Sequence, residues 1–197
     1  MAVVAPEGEG FRYTVLESDG GIPFPMRIVD LAGDGIDELI TAQWPVGYHQ
    51  GIPPIYWYTV WQFHNGMPED VSDQFPQFYR GFVLGQLDYP ERLLREVELH
   101  DPAVVRTPLA EIQYVRLKFE HLVQHHTDAG LDETLAWARS QSPEFSEMGI
   151  WLLAEMPAPA AGEELAKLAA SPNYTDLAKA ALARRAKLMG RPPGKKE

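Results

Sequence analysis

Hydrophobic positions repeat with a period of two in the first part of the chain and with a period near 3.6 in the second. Alternation between residues 11 and 80 predicts short strands, most clearly over Ile55 to Phe63. Helical periodicity begins near Leu87 and continues to Leu188. The sequence therefore predicts an α+β protein, a small antiparallel β-sheet packed on a C-terminal array of α-helical hairpins.

The same pattern predicts four segments. Residues 1–10 are small, polar and rich in glycine, and are expected to be poorly ordered. Residues 11–80 form a β-rich subdomain, residues 85–190 form a helical subdomain, and residues 191–197 form a disordered basic tail. The Asn-Gly pair at residues 65 and 66 predicts a tight hairpin turn between the last two strands, because its central positions require positive φ.

In the helical half, a long helix is expected to begin after Pro108 and to end at Gly130, which would serve as its C-terminal cap. Its predicted core positions are Ile112, Val115, Phe119 and Leu122. Two hairpins of similar length follow, residues 131–140 with 144–156 and residues 162–170 with 174–188. The repeated hairpins resemble HEAT-like repeats of α-solenoids, and their apolar positions include Leu152, Leu153, Leu165, Leu168, Ala178, Ala181 and Leu182.

An acidic turn, residues 30–39, separates two apolar runs in the β-rich half. Its sequence Asp-Leu-Ala-Gly-Asp-Gly-Ile-Asp-Glu-Leu resembles the D-L-x-G-D-G-x-x-[DE]-[LV] core of FG-GAP/VCBS-type repeats. In that family the repeats form β-propeller blades and often hold calcium in this turn. The chain has a single copy over about residues 26–72, and propellers need ~4–8 blades. The resemblance therefore implies a lone blade-like sheet.

Calcium prefers ~6–8 oxygen ligands, which a tight acidic turn supplies at alternate positions. The matching positions are Asp30, Asp34, the carbonyl of Ile36, and Glu38, whereas Ala32 places a methyl group where an oxygen is expected. The alternative interpretation is structural. In that case the two glycines of the turn supply positive φ, and Asp30 and Asp34 accept hydrogen bonds from turn amides.

A loop of prolines and aromatic residues at positions 44–54 follows the second strand of this motif. Aromatic side chains bind partners with little loss of entropy, so Trp44, Tyr48 and His49, with Tyr56 and Tyr58 in the next strand, are predicted to contact another protein. Two alternatives to protein binding remain. Trp44 and Tyr48 could fold back onto the sheet or the helices, or the aromatic rings of the loop could stack on a sugar.

His121 and His125 lie one helical turn apart and could share a metal ion. The glutamate precedes His121, whereas in the zinc-protease motif it follows the first histidine, and no third ligand is visible in the sequence. A solvated histidine pair is therefore the preferred interpretation.

Composition narrows the function further. The 197 residues are 45% hydrophobic and carry a formal charge of −11, which disfavours nucleic acid and anionic membranes as partners. Absence of cysteine excludes disulfides and thiolate chemistry. No apolar run reaches the ~20 residues of a membrane span. The chain as written is expected in the cytoplasm, or in the periplasm or outside the cell if a leader was removed.

No nucleophile elbow, phosphate-binding loop or dinucleotide fingerprint occurs in the sequence. The leading prediction is a non-catalytic protein-interaction or scaffold module with a weak calcium-binding turn. A secreted or periplasmic calcium-dependent binding protein is the first alternative, and a metal-dependent hydrolase the second.

Overall fold

The computed structural model describes residues 2–7, 10–15, 24–43, 55–64, 66–98, 102–124 and 128–190. Two compact units divide the chain, Met1–Pro108 and Leu109–Glu197. The strands are β1 Ala2–Glu7, β2 Gly10–Val15, β3 Phe24–Val29, β4 Glu38–Gln43, β5 Trp57–His64 and β6 Met67–Asp70. The helices are α1 Pro76–Phe78, α2 Asp88–Glu98, α3 Pro102–Val123, α4 Leu131–Ala138, α5 Pro143–Glu155, α6 Pro159–Ala169 and α7 Thr175–Met189. These elements confirm the predicted α+β class.

The N-terminal segment differs from the prediction of a poorly ordered terminus. Its strand β1 pairs antiparallel with β2 in a separate two-stranded sheet, from Ala2 opposite Val15 to Glu7 opposite Gly10. The β-branched pair Val3 and Val4 favours an extended chain, a signal that the abundance of small and acidic neighbours obscured.

The larger sheet has four antiparallel strands in the order β3-β4-β5-β6. Its predicted strands are therefore confirmed, and Gly66 has the positive φ of 75° that the hairpin turn requires. The two central strands, β4 and β5, bury residues on both faces: Ile40, Thr41, Ala42, Thr59, Val60 and Trp61. Both faces of the centre of this sheet are thus covered.

Strand β6 pairs only with residues Trp61 to His64 of β5. The N-terminal half of β5 therefore extends beyond β6. Alternate carbonyls, beginning with the residue before β5, accept hydrogen bonds from the segment after β6: Tyr56 from Gln86 Nε2 at 2.9 Å, Tyr58 from Tyr79 Oη at 2.7 Å, and Val60 from the Val71 amide at 2.9 Å. Burial raises the pKa of Tyr79, which keeps its hydroxyl protonated as a donor. This part of the sheet edge is therefore closed by the chain itself.

Helix α3 begins at Pro102, seven residues before the predicted start, and contains Pro108 within its second turn. Pro108 has no N–H group to donate to the carbonyl of residue 104, so it removes one hydrogen bond of the helix. Of the predicted core positions, Ile112 and Val115 are buried, whereas Phe119 and Leu122 are half-buried.

Gly130 was predicted as the C-terminal cap of the long helix, but it directly precedes α4 as its N-cap residue. Its φ of 70° is in the left-handed region. A Cβ atom added there would lie 2.8 Å from Leu117 Cδ2. Both the turn and the adjacent α3 side chain therefore favour glycine.

The two predicted helical hairpins are present as α4 with α5 and α6 with α7, with ends within a few residues of the prediction. Pro143 and Pro159 each begin a helix, where their missing N–H group is not needed. One core cluster joins these helices: Ala138, Ile150, Leu153, Ala154, Met156, Ala161, Leu165 and Ala181. The small residues among them allow the helices to approach closely.

Charged side chains connect the helices of this unit. Glu155 at the end of α5 lies 3.7 Å from Lys118 Nζ on α3 and 2.9 Å from Arg184 on α7. Arg185 donates to carbonyl oxygens at and beyond the end of α5: Leu153, Met156, Pro157 and Ala158. Because helix ends leave carbonyls without partners in the helix, Arg185 supplies the donors that α5 lacks.

Candidate functional site

The acidic turn between β3 and β4 is built around the Asp30 carboxylate. Its Oδ1 accepts hydrogen bonds from the amides of Gly33 at 2.6 Å and Asp34 at 3.1 Å, and its Oδ2 accepts one from Gly35 at 2.8 Å. These bonds, the one from Gly35 foremost, lower the pKa of Asp30. The carboxylate is therefore ionised at neutral pH and binds the backbone of its own turn.

The second aspartate of this turn also accepts a hydrogen bond from a turn amide. Asp34 Oδ1 accepts a hydrogen bond from the Ile36 amide at 2.9 Å, while the Ile36 side chain is exposed. Gly33 and Gly35 have φ values of 74° and 84°, a region that L side chains rarely adopt. The turn therefore has the aspartate-to-amide hydrogen bonds and the positive-φ glycines that the structural interpretation requires.

Glu38 connects the turn to the sheet from the first position of β4. The side chain is fully buried. Its Oε2 accepts a hydrogen bond from the Leu31 amide and its Oε1 one from Gln62 Nε2 on β5, both at 2.7 Å. A buried carboxylate is tolerated where such donors replace water. Glu38 therefore fixes the position of the turn relative to β5.

The predicted calcium ligands thus share one turn and the start of β4, and several of their oxygens already accept protein hydrogen bonds. Within the described part of the chain, no group of three or more histidine, aspartate or glutamate side chains is arranged to hold a metal ion. Ala32, exposed in this turn, offers no side-chain oxygen. Calcium binding by Asp30, Asp34, Ile36 and Glu38 stays a prediction.

The predicted partner-binding residues fall in two groups. Trp44, Tyr48 and His49 lie outside the described residues. Tyr56 is half-buried and Tyr58 is only 4% exposed. Burial raises the pKa of Tyr58, with a further contribution from nearby Tyr56. Tyr58 is therefore a neutral supporting residue beneath the surface.

Two phenylalanines that sequence reasoning did not select cover Tyr58. The rings of Phe78 and Phe82 stack with centroids 5.6 Å apart and an interplanar angle of 18°. Tyr58 meets Phe82 edge-on at 5.3 Å and Phe78 at 6.2 Å. Phe82 remains 54% exposed. We call Tyr58, Phe78 and Phe82 the aromatic cluster.

A π-helical turn, Tyr79–Val83, places Phe82 at the surface. The Leu84 amide bonds the Tyr79 carbonyl, five residues earlier, at 2.9 Å. Tyr79 and Val83 are fully buried on the inner side of this turn. The four-residue spacing of Phe78 and Phe82 was the available sequence signal, but the pair lies across the end of the predicted β-rich subdomain at residue 80. Single π-helical turns occur frequently at functional sites.

The histidine pair on α3 is only partly described. His121 is fully buried, so the prediction of a solvated pair is wrong for this residue. His121 lies on the inner face of α3, three residues after buried Lys118. His125 lies outside the described residues.

No protein-family model matches the chain, and neither a curated protein nor a solved structure matches it with significance. The resemblances to FG-GAP/VCBS and HEAT-like repeats therefore stay predictions. Of the helices that the structure describes, none combines the length and the apolar character that a bilayer crossing requires.

Proposed function

We propose that this protein is a non-catalytic protein-interaction module whose aromatic cluster docks on another protein. The observation that carries the proposal is Phe82, whose ring is held in place yet has 54% of its surface exposed. Burying a phenylalanine side chain contributes ~1.5–3 kcal/mol. A partner that covers Phe82 would gain part of this free energy.

The rigidity of the cluster adds to this argument. Phe82 stacks on Phe78 and meets the edge of buried Tyr58, so its orientation is set before a partner arrives. Association usually costs ~0.5–1.5 kcal/mol for each mobile side chain that becomes ordered. Phe82 avoids much of this cost. Aromatic anchors of this kind contribute most of the free energy at many protein interfaces.

The surroundings of the cluster also favour a protein partner. Tyr56, two residues after the predicted partner-binding loop, has its ring centroid 6.1 Å from that of Tyr58. The π-helical turn of Phe82 is joined to β5 through the Tyr79 hydroxyl, so the surface rests on the sheet. A partner would therefore meet a preformed surface with few parts to rearrange.

Quantitative affinity capture from cells that express the protein tests this proposal. Wild type is compared with Phe82→Ser and with a matched control, Val97→Ser, which changes an exposed apolar residue on α2. We expect at least one protein captured by wild type and by the control to be lost with Phe82→Ser. Circular dichroism should show all three chains folded, because both side chains are exposed. Identical captured proteins for all three chains would contradict the proposal.

A further inference from the structure

The acidic turn contains an aspartate followed directly by a glycine, Asp34 and Gly35. Of the two Asp-Gly pairs in the sequence, this one lies in the described part of the chain, and Asp34 is exposed to solvent. Among the described residues, no atom beyond the adjoining ones lies within 4 Å of a Cβ atom added to Gly35. The two groups that react in aspartate isomerisation, a side-chain carboxyl and the next amide nitrogen, are therefore adjacent and open to water.

Isomerisation of an aspartate needs no reactant besides water. The Gly35 nitrogen attacks Cγ of the protonated Asp34 carboxyl, so that an N–Cγ bond forms and the Cγ–OH bond breaks. The hydroxyl leaves with the amide proton as water, and the product is a cyclic succinimide. Water then adds to the main-chain carbonyl of the ring and breaks its bond to nitrogen. The result is isoaspartate, in which the chain runs through the former side chain, with no net change in mass.

Two hydrogen bonds of the folded turn oppose this ring closure. The Gly35 amide donates to Asp30 Oδ2 at 2.8 Å, and Asp34 Oδ1 accepts from the Ile36 amide at 2.9 Å. Attack requires the Gly35 nitrogen to lose its proton and to turn toward Asp34 Cγ. An ionised carboxylate that accepts this N–H group makes loss of the proton more costly and fixes the orientation of the amide. Asp30 stays ionised in mild acid, because hydrogen bonds from turn amides, the one from Gly35 foremost, lower its pKa.

We propose that Asp34 isomerises spontaneously at its bond to Gly35, and that Asp30 sets the rate of this modification by holding the Gly35 amide. A hydrogen bond to a charged group is among the stronger ones in proteins, and its loss should speed the reaction roughly tenfold or more. Isoaspartate adds one carbon atom to the backbone of the turn and moves the carboxylate that accepts from the Ile36 amide. The modification therefore lengthens the connection between β3 and β4.

Mass spectrometry of the intact chain, aged in mildly acidic buffer at physiological temperature and then digested, tests the proposal. Fragmentation by electron transfer distinguishes isoaspartate from aspartate at position 34. Wild type should form isoaspartate there at least ~10-fold more slowly when folded than in concentrated urea. Asp30→Ala should raise the rate in the folded chain by roughly the same factor. The matched control Asp37→Ala removes an equal charge from an exposed position of the same turn and should age like wild type.

Circular dichroism establishes that each variant is folded. Asp30→Asn keeps an acceptor oxygen without the charge, so it should react at an intermediate rate, and it supplies the measurement if Asp30→Ala does not fold. Equal rates for wild type in the folded and the urea-unfolded state would overturn the proposal. It would also be overturned by equal rates for Asp30→Ala and Asp37→Ala, or by the absence of isoaspartate at position 34 from both folded wild type and folded Asp30→Ala.

Discussion

Gly149 lies where α5 contacts α4, and alanine at this position is expected to destabilise the helical unit. A Cβ atom there would lie 2.3 Å from the Ala138 amide nitrogen, 2.7 Å from its Cα and 2.9 Å from the Thr134 carbonyl oxygen. Favourable contacts between such atoms lie near ~3.5 Å or beyond. Since all three contacts are with backbone atoms, α4 and α5 would have to separate by about 1 Å.

The free-energy change has two opposing parts. Overpacking a close-packed interior costs ~1–3 kcal/mol and occasionally more, and a clash with backbone belongs at the upper end of this range. Replacing glycine by alanine within a helix returns about 1 kcal/mol. The expected net loss of unfolding free energy is therefore ~2 kcal/mol. For a unit of this size the midpoint temperature should fall by ~8–16 °C.

Thermal unfolding followed by far-ultraviolet circular dichroism measures this change. The matched control is Gly81→Ala in the π-helical turn, where nothing lies within 4 Å of an added Cβ atom. It should alter stability by no more than ~1 kcal/mol. Adding Ala138→Gly to Gly149→Ala should not restore stability, because the clash is with the backbone of residue 138. An unchanged midpoint for Gly149→Ala would refute the close contact of α4 and α5, and rescue by Ala138→Gly would refute its backbone origin.

Two further predictions concern charged groups. Arg139 donates to both carboxylate oxygens of Glu164, at 2.9 and 2.7 Å, and lowers the pKa of Glu164 below its ordinary 4.5. A lowered carboxyl pKa stabilises the fold above the unfolded pKa, and this stability is lost as pH falls through the folded pKa. Arg139→Gln should therefore reduce the unfolding free energy, measured by urea titration, by ~1 kcal/mol at neutral pH. The difference between wild type and Arg139→Gln should disappear in acid. An equal difference at every pH would contradict the reasoning. If the acidic turn binds calcium, Ca²⁺ at ~100 times its Kd should raise the unfolding free energy of wild type by ~2.7 kcal/mol and leave that of Asp34→Ala unchanged. An equal melting temperature of wild type with calcium and with a chelator would argue against such a site.

Local patterns predicted most of the secondary structure of this chain. Strand alternation, helix periodicity and the prolines at helix starts depend on neighbours a few residues apart, and the resulting hairpins were placed within a few residues. The acidic turn was also predictable from the sequence, because Gly33, Gly35 and the Asp30 carboxylate that accepts hydrogen bonds from both of their amides lie within six residues. The strand that contains Val3 was harder to predict, because its neighbours are small and acidic and its partner is a different segment, β2.

Contacts between distant parts of each unit required the tertiary structure. Phe82 stands out only when Tyr58, 24 positions earlier, is seen to be buried beneath it. Likewise Glu38 is a buried link only through Gln62, and Gly149 is irreplaceable only because the α4 backbone meets it. Sequence alone determined which face each element offers, since side-chain direction follows the local backbone repeat. Tertiary structure decided which faces meet and which remain exposed, because strand register and helix approach depend on the shapes of residues far apart in the chain.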